Sequence, residues 1–123
     1  TSAINYLEST VGTNRLFITG YSFGAIVAMM LSVKHASINA FAVISTPFGR
    51  FDTSFLTDCR EPKLFICADN DFAASIEEVE KGMLNVSEPK ILDVIESCDH
   101  FYIDKEHNVA NKVYEFFTSN SST

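Results

Sequence analysis

The sequence contains few basic residues, no long apolar run and no paired cysteine motif. Nine Lys and Arg residues stand against 16 Asp and Glu residues, so the net charge is −7 and no basic surface is available to neutralise phosphates. The longest apolar stretch, residues 25–31, is far shorter than a bilayer crossing requires. We therefore expect neither a nucleic-acid partner nor a membrane partner.

The three cysteines, Cys59, Cys67 and Cys98, are odd in number and lack C-x-x-C spacing. This usage indicates neither a disulfide framework nor a zinc site, and it fits a reducing compartment. The first residues do not show the basic region, apolar core and cleavage site of a secretory signal. We expect a cytoplasmic protein that uses no metal and no other cofactor.

Helix-like and strand-like segments alternate along the chain, which favours a parallel sheet. Four short apolar runs are predicted to be strands: residues 16–19, 40–44, 63–67 and 90–95. Periodicity predicts helices over residues 1–10, 25–32, 75–84 and 106–117, the second of them apolar nearly all round. The predicted fold class is α/β with a doubly wound, mostly parallel sheet. One domain is expected over residues 1–118, followed by a polar, disordered tail at 119–123.

The predicted first helix has no preceding strand to pack against, and the strand at residues 16–19 leaves a bare sheet edge. We interpret the chain as the carboxyl-terminal part of a larger domain whose early strands are missing. A bare edge also favours self-association through strand pairing.

The segment Gly20-Tyr21-Ser22-Phe23-Gly24 matches the pattern G-x-S-x-G between a predicted strand and a predicted helix. A sharp turn there would hold Ser22 in a strained conformation and present its hydroxyl at the carboxyl edge of the sheet. The helix that follows directs free N–H groups to the same place, so the backbone N–H of Phe23 is predicted to be an oxyanion donor. The alternative interpretation of Ser22 is a helix cap in a tight turn.

Residues 16–25, LFITGYSFGA, resemble the nucleophile elbow of the α/β-hydrolase superfamily. Only a short segment, residues 47–62, separates two predicted strands where larger members insert a lid. The chain therefore resembles the compact dienelactone-hydrolase-like enzymes and other small serine hydrolases. The resemblance implies an α/β-hydrolase fold that lacks its early strands and the loop that usually supplies a second oxyanion donor.

The order of serine, acid and histidine along the chain is also the order in that superfamily. His100 follows the last predicted strand, where the resemblance places the general base. His35 and His107 lie at helix ends and are interpreted as structural or solvated. The spacing of the family pattern puts Asp71 in the place of the catalytic acid, and Asp69 remains the alternative.

These residues predict a serine hydrolase that acts on an ester or a related acyl bond of a small molecule, with Ser22 as nucleophile, His100 as base and Asp71 as orienting acid. The aromatic residues beside the reactive positions are predicted to bind an apolar part of the substrate: Tyr21, Phe23, Phe48, Phe72 and Phe101. A second hypothesis, based on the missing strands, is a weakly active or inactive module that binds a ligand or a partner. A third is a piece of a longer hydrolase.

Overall fold

The computed structural model describes residues 16–35 and 37–120, which form a four-stranded parallel sheet with helices on both faces. The strands, in their order across the sheet, are β1 (Leu16–Tyr21), β2 (Ile38–Ile44), β3 (Lys63–Asn70) and β4 (Lys90–Asp99). The helices are α1 (Phe23–Lys34), α2 (Ile76–Met83) and α3 (Glu106–Ser119), with a 3₁₀ helix at Ser54–Asp58. The α/β class and the doubly wound parallel sheet predicted from the sequence are confirmed.

Helices cover both faces of the sheet, and this explains why β1, β2 and β3 contain continuous apolar runs. On one face, Ile18, Phe41 and Phe65 belong to a buried cluster with residues of α1 and α2. On the other face, the rings of Phe17 and Phe117 stack with their centroids 4.7 Å apart and join α3 to the sheet. A strand covered on both sides has no polar face, so its sequence does not alternate.

Helix α1 is less completely buried than its composition predicts. Ile26 and Met29 lie in the core, whereas Met30 and Val33 are more than two-fifths exposed. The helix thus buries one face against the sheet, although apolar residues occupy other faces as well.

Strands β3 and β4 continue past their predicted ends, to Asn70 and Asp99, across an irregularity in their register. At this irregularity the carboxylate of Asp69 accepts hydrogen bonds from the backbone N–H of Ser97 (2.7 Å) and of Cys98 (2.9 Å). Ser97 has a φ of 54°, in the left-handed region. A side chain on β3 therefore stabilises the polar end of β4, which the apolar pattern alone did not include.

The predicted helix at residues 1–10 and residues 121–123 of the predicted tail lie outside the described part of the chain. Helix α3 extends through Ser119, two residues beyond its predicted end. β1 and β4 are the outer strands of the described sheet, and self-association through β1 stays a prediction. No helix formed by residues 16–35 and 37–120 has the length and apolar character needed to span a bilayer.

Candidate active site

One polar residue follows each strand at the carboxyl edge of the sheet. These residues are Ser22 after β1, Ser45 after β2, Asp71 after β3 and His100 after β4. Because the strands are parallel, all four positions lie at the same edge. The backbone N–H of Ser22 donates to the carbonyl of Ile44 (2.8 Å), and that of Ser45 donates to the carbonyl of Ile66 (2.8 Å). The strand ladder thus continues into the turns that present these side chains.

Ser22 occupies the turn between β1 and α1 with φ 56° and ψ −120°, a conformation that residues other than glycine rarely adopt. Its side chain makes no capping hydrogen bond to α1, so the helix-cap interpretation has no support. A Cβ added at Gly20 would lie 2.7 Å from the carbonyl carbon of Gly24 and 2.9 Å from the Cβ of Ala28. Gly20 therefore permits the close packing of helix on strand that creates the turn.

Asp71 and His100 form a buried pair. The His100 Nδ1 atom lies 2.8 Å from Oδ1 and 2.9 Å from Oδ2 of Asp71. Only 8% of the His100 side chain and 0% of the Asp71 side chain are exposed. Because an ionised carboxylate can only accept, Nδ1 carries the hydrogen and Nε2 of the neutral ring remains an acceptor. This is the tautomer that a general base requires.

Further donors surround the Asp71 carboxylate. Oδ1 accepts hydrogen bonds from the backbone N–H of Ala73 (2.7 Å) and Ala74 (3.0 Å), and Oδ2 accepts one from the Ser45 hydroxyl (2.6 Å). Burial by itself raises the pKa of Asp71, but the hydrogen bonds from Ser45, His100 and the Ala73 backbone outweigh it, so the pKa lies below its ordinary value. Asp71 is therefore ionised at neutral pH.

Ser45 also contacts Tyr102, with 2.6 Å between their side-chain oxygens. The single hydroxyl hydrogen of Ser45 is donated to Asp71, so the Tyr102 hydroxyl must donate to Ser45 Oγ. Burial raises the pKa of Tyr102 above its ordinary value, which keeps this phenol protonated and able to donate. Neither Ser45 nor Tyr102 is among the site residues predicted from the sequence. The position directly after β2 could have indicated Ser45, whereas nothing in the sequence indicated Tyr102.

The structure pairs the histidine with Asp71 and not with the alternative acid. The hydrogen bonds of the Asp69 carboxylate go to the backbone of β4, at Ser97 and Cys98. The other histidines lie elsewhere, His35 at the carboxyl terminus of α1 and His107 in the first turn of α3.

Three of the predicted substrate-binding residues surround His100. The Tyr21 hydroxyl donates to the backbone carbonyl of His100 (2.6 Å), and the two ring centroids are 5.3 Å apart. The rings of Phe72 and Phe101 lie 4.8 Å and 5.6 Å from the imidazole, with 72% and 61% of these residues exposed. Exposed aromatic rings beside the candidate base can contact an apolar group of a bound molecule.

The other two predicted substrate-binding residues have different surroundings. Phe48 is buried, its ring lies 5.7 Å from that of Phe65, and it leaves no space for a side chain at Gly82. These are core contacts, which do not support a role for Phe48 in binding. Phe23 is exposed and packs beside Phe51, with 5.6 Å between ring centroids.

Two thiols lie near this edge of the sheet. Burial raises the pKa of Cys67 to about 11 and also raises the pKa of Cys98. Both thiols are therefore protonated at neutral pH and are weak nucleophiles. Within residues 16–35 and 37–120, no group of three His, Cys, Asp or Glu side chains is arranged to hold a metal ion.

An open apolar groove of about 550 Å³ lies between β1 and α3. Tyr21 and Phe101 line it, whereas Ser22, Asp71 and His100 do not. The groove therefore borders the aromatic residues of the candidate site without containing its polar groups.

Comparison with sequences finds one curated relative, and no protein-family model matches the chain. The uncharacterized protein RP471 of Rickettsia prowazekii is 33% identical over 108 residues, an alignment that covers 80% of this chain and 45% of that protein. The chain thus spans less than half the length of this relative.

Solved structures match the fold over most of the chain. A dienelactone hydrolase from Anabaena variabilis has a TM-score of 0.77 at 19% identity, covering 86% of this chain and 50% of that one. XC6422 from Xanthomonas campestris, described as an α/β serine hydrolase without a lid, has a TM-score of 0.73 at 22% identity, covering 87% and 49%. This chain therefore has part of the α/β-hydrolase fold, about half the length of the proteins that it matches.

Proposed function

We propose that the protein is a serine hydrolase that cleaves an ester or a related acyl bond, with Ser22 as nucleophile, His100 as general base and Asp71 as orienting acid. The main support is the buried hydrogen bond of 2.8 Å between Asp71 and His100. It lies at the same sheet edge as a serine in a positive-φ turn between strand and helix. The sheet alone does not require a serine, a histidine and an aspartate at the same edge, so their combination there supports a shared role.

The reaction follows from the protonation states of these groups. As Ser22 Oγ bonds to the carbonyl carbon of the substrate, Nε2 of His100 accepts its proton. Nε2 then donates that proton to the leaving oxygen, the acyl bond breaks, and the acyl group remains on Ser22. Nε2 next accepts a proton from water as the water oxygen bonds to the acyl carbon, and it returns that proton to Ser22 Oγ as the acyl–serine bond breaks and the acid leaves. Asp71 stays ionised and stabilises the imidazolium that forms in each half of the reaction.

The tetrahedral intermediate carries a negative charge on the former carbonyl oxygen. Phe23 is the first residue of α1, so its backbone N–H has no acceptor within the helix. We assign it as one oxyanion donor, assisted by the positive end of the helix dipole.

The exposed rings of Phe72 and Phe101 beside the imidazole favour a small-molecule substrate with an apolar group near the acyl bond. We therefore expect p-nitrophenyl esters with apolar acyl chains to be better substrates than acetate esters.

A fluorophosphonate probe tests the nucleophile in the intact protein. We expect the parent to be labelled at Ser22, and Ser22→Ala to lose both labelling and hydrolysis of p-nitrophenyl esters. Ser32→Ala is a matched control, because Ser32 is buried and its hydroxyl has no hydrogen-bond partner in the described structure. Equal labelling of Ser22→Ala and the parent would refute the assignment. A folded parent that is neither labelled nor active would favour the hypothesis of a binding module.

A further inference from the structure

We propose that Ser45 and Tyr102 are positioning residues, whose hydrogen-bonded chain holds the Asp71 carboxylate in the orientation that serves His100. The catalytic consequence of this arrangement rests on the proposed hydrolase function. The chain runs from the Tyr102 hydroxyl to Ser45 Oγ and from the Ser45 hydroxyl to Asp71 Oδ2, with 2.6 Å at each step.

The two oxygens of Asp71 are held in different ways. Oδ1 is fixed by the backbone N–H groups of Ala73 and Ala74, which the turn itself supplies. Oδ2 has no backbone donor among the described residues, and only the side chains of His100 and Ser45 donate to it. Because the imidazole must be free to change its charge during the reaction, Ser45 is the constant partner that fixes Oδ2.

Burying the hydroxyl groups of Ser45 and Tyr102 costs free energy. The need to reverse the polypeptide at these two positions does not explain why the residues there carry hydroxyl groups. Ser45 is 0% exposed and Tyr102 is 4% exposed, so each hydroxyl needs a partner inside the protein. Both residues also have positive φ values, 54° and 55°. A glycine would reverse the chain there with less strain, but it could not donate a hydrogen bond.

The turn after β4 delivers two side chains to the same carboxylate. Asp99 Oδ1 accepts hydrogen bonds from the backbone N–H of Phe101 (3.0 Å) and Tyr102 (3.1 Å). This closes a tight turn in which His100 reaches Asp71 directly and Tyr102 reaches it through Ser45. This turn therefore positions both the general base, His100, and Tyr102, which holds Asp71 through Ser45.

The test compares Ser45→Ala, Tyr102→Phe and the double variant of the intact protein with two controls. Ser32→Ala removes a buried hydroxyl that has no partner in the described structure, and Tyr114→Phe removes an exposed phenol. We expect kcat to fall about tenfold in Ser45→Ala, the size typical of a lost hydrogen bond to a charged group, with KM unchanged. Tyr102→Phe should lower kcat less. The double variant should equal Ser45→Ala, because Tyr102 acts only through Ser45.

The pH profile separates positioning from a general loss of structure. The Ser45 hydrogen bond is one of the contacts that hold the pKa of Asp71 below its ordinary value, so its loss raises that pKa and the carboxylate stays ionised over a narrower pH range. We therefore expect the acidic limb of the kcat/KM profile to move to higher pH in Ser45→Ala and to stay in place in Ser32→Ala.

Proton NMR gives a readout that does not depend on turnover. The hydrogen on His100 Nδ1 should give a downfield resonance in the parent, shifted in Ser45→Ala and Tyr102→Phe and unchanged in the controls. If the parent is inactive but the variants show these shifts, the proposed hydrolase function is contradicted and the proposal that Ser45 and Tyr102 position Asp71 is kept. An active parent in which all variants match the controls would overturn the positioning chain alone. If Ser45→Ala does not fold, Tyr102→Phe carries the test, because it removes one oxygen and keeps the ring.

Discussion

Replacement of Asp71 by asparagine tests the candidate site most directly, because it removes the charge and keeps the shape. Oδ1 accepts two backbone hydrogen bonds, from Ala73 and Ala74, so the amide oxygen of the variant must occupy that position. The amide NH2 group then replaces Oδ2, which lies 2.9 Å from Nδ1 of His100. This NH2 group can only donate, so the Nδ1 hydrogen keeps a single acceptor, the amide oxygen in the place of Oδ1, 2.8 Å away. Donation from the NH2 group to Nδ1 favours the competing tautomer, which carries its hydrogen on Nε2.

An imidazole protonated at Nε2 cannot accept the hydrogen of Ser22. In Ser-His-Asp enzymes this change of tautomer lowers kcat by about 10⁴, and we expect a loss of that order for Asp71→Asn. KM should change little, because the Asp71 side chain is 0% exposed and is therefore shielded from a bound substrate. The assay is hydrolysis of a p-nitrophenyl ester, with circular dichroism to confirm that the variant folds.

Asp69→Asn is the matched control and decides between the two acids. Asp69 holds the backbone of Ser97 and Cys98, and an amide oxygen at this position can still accept one of those hydrogen bonds. We expect its kcat to stay within about tenfold of the parent, a change typical of one lost hydrogen bond. The reasoning is refuted if Asp71→Asn keeps comparable activity, or if Asp69→Asn loses as much as Asp71→Asn.

Three further predictions concern the architecture of the site. Gly20→Ala should destabilise the protein by about 3 kcal/mol, because the new methyl group meets the backbone of α1. Gly24→Ala should be neutral or stabilise by up to about 1 kcal/mol, because its Cβ would meet nothing within 4 Å; urea unfolding measures both. Tyr21→Phe removes the hydrogen bond to the histidine carbonyl and should cost about 1 kcal/mol in urea unfolding, whereas Tyr114→Phe should cost nothing measurable. The pKa of Asp71 is lower in the folded than in the unfolded chain, so its contribution to stability is complete above the ordinary aspartate pKa and is lost as pH falls from about 4 downward. Urea midpoints measured across this range should fall less steeply in Asp71→Asn.

Each of these predictions has a contrary outcome. Equal stability of the two glycine variants would mean that β1 and α1 are not in close contact. A Tyr21→Phe variant as stable as the parent would show that the hydrogen bond to the loop is not formed. An acid transition that is identical in Asp71→Asn and the parent would show that the carboxylate is not held ionised by its partners.

Local patterns in the sequence are sufficient to predict the strand-helix alternation and the polar residues that follow the strands. Apolar runs and helical periodicity are local properties, so they located β1 to β4 and the turns at their carboxyl ends. Ser22 and His100 could be singled out for the same reason, since each directly follows a predicted strand or its polar extension.

The contacts between these polar groups depend on the folded chain and cannot be predicted from local patterns. Asp69 and Asp71 are two residues apart in the sequence. At the irregular register between β3 and β4, Asp69 accepts a hydrogen bond from the backbone of β4, whereas Asp71 pairs with His100. The position of Phe48 after a strand predicts a place in the site, yet the loop folds its ring into the core. Ser45 and Tyr102 reach Asp71 through positive-φ turns. A backbone conformation of this kind depends on contacts between distant segments, and hydrophobic periodicity carries no record of it.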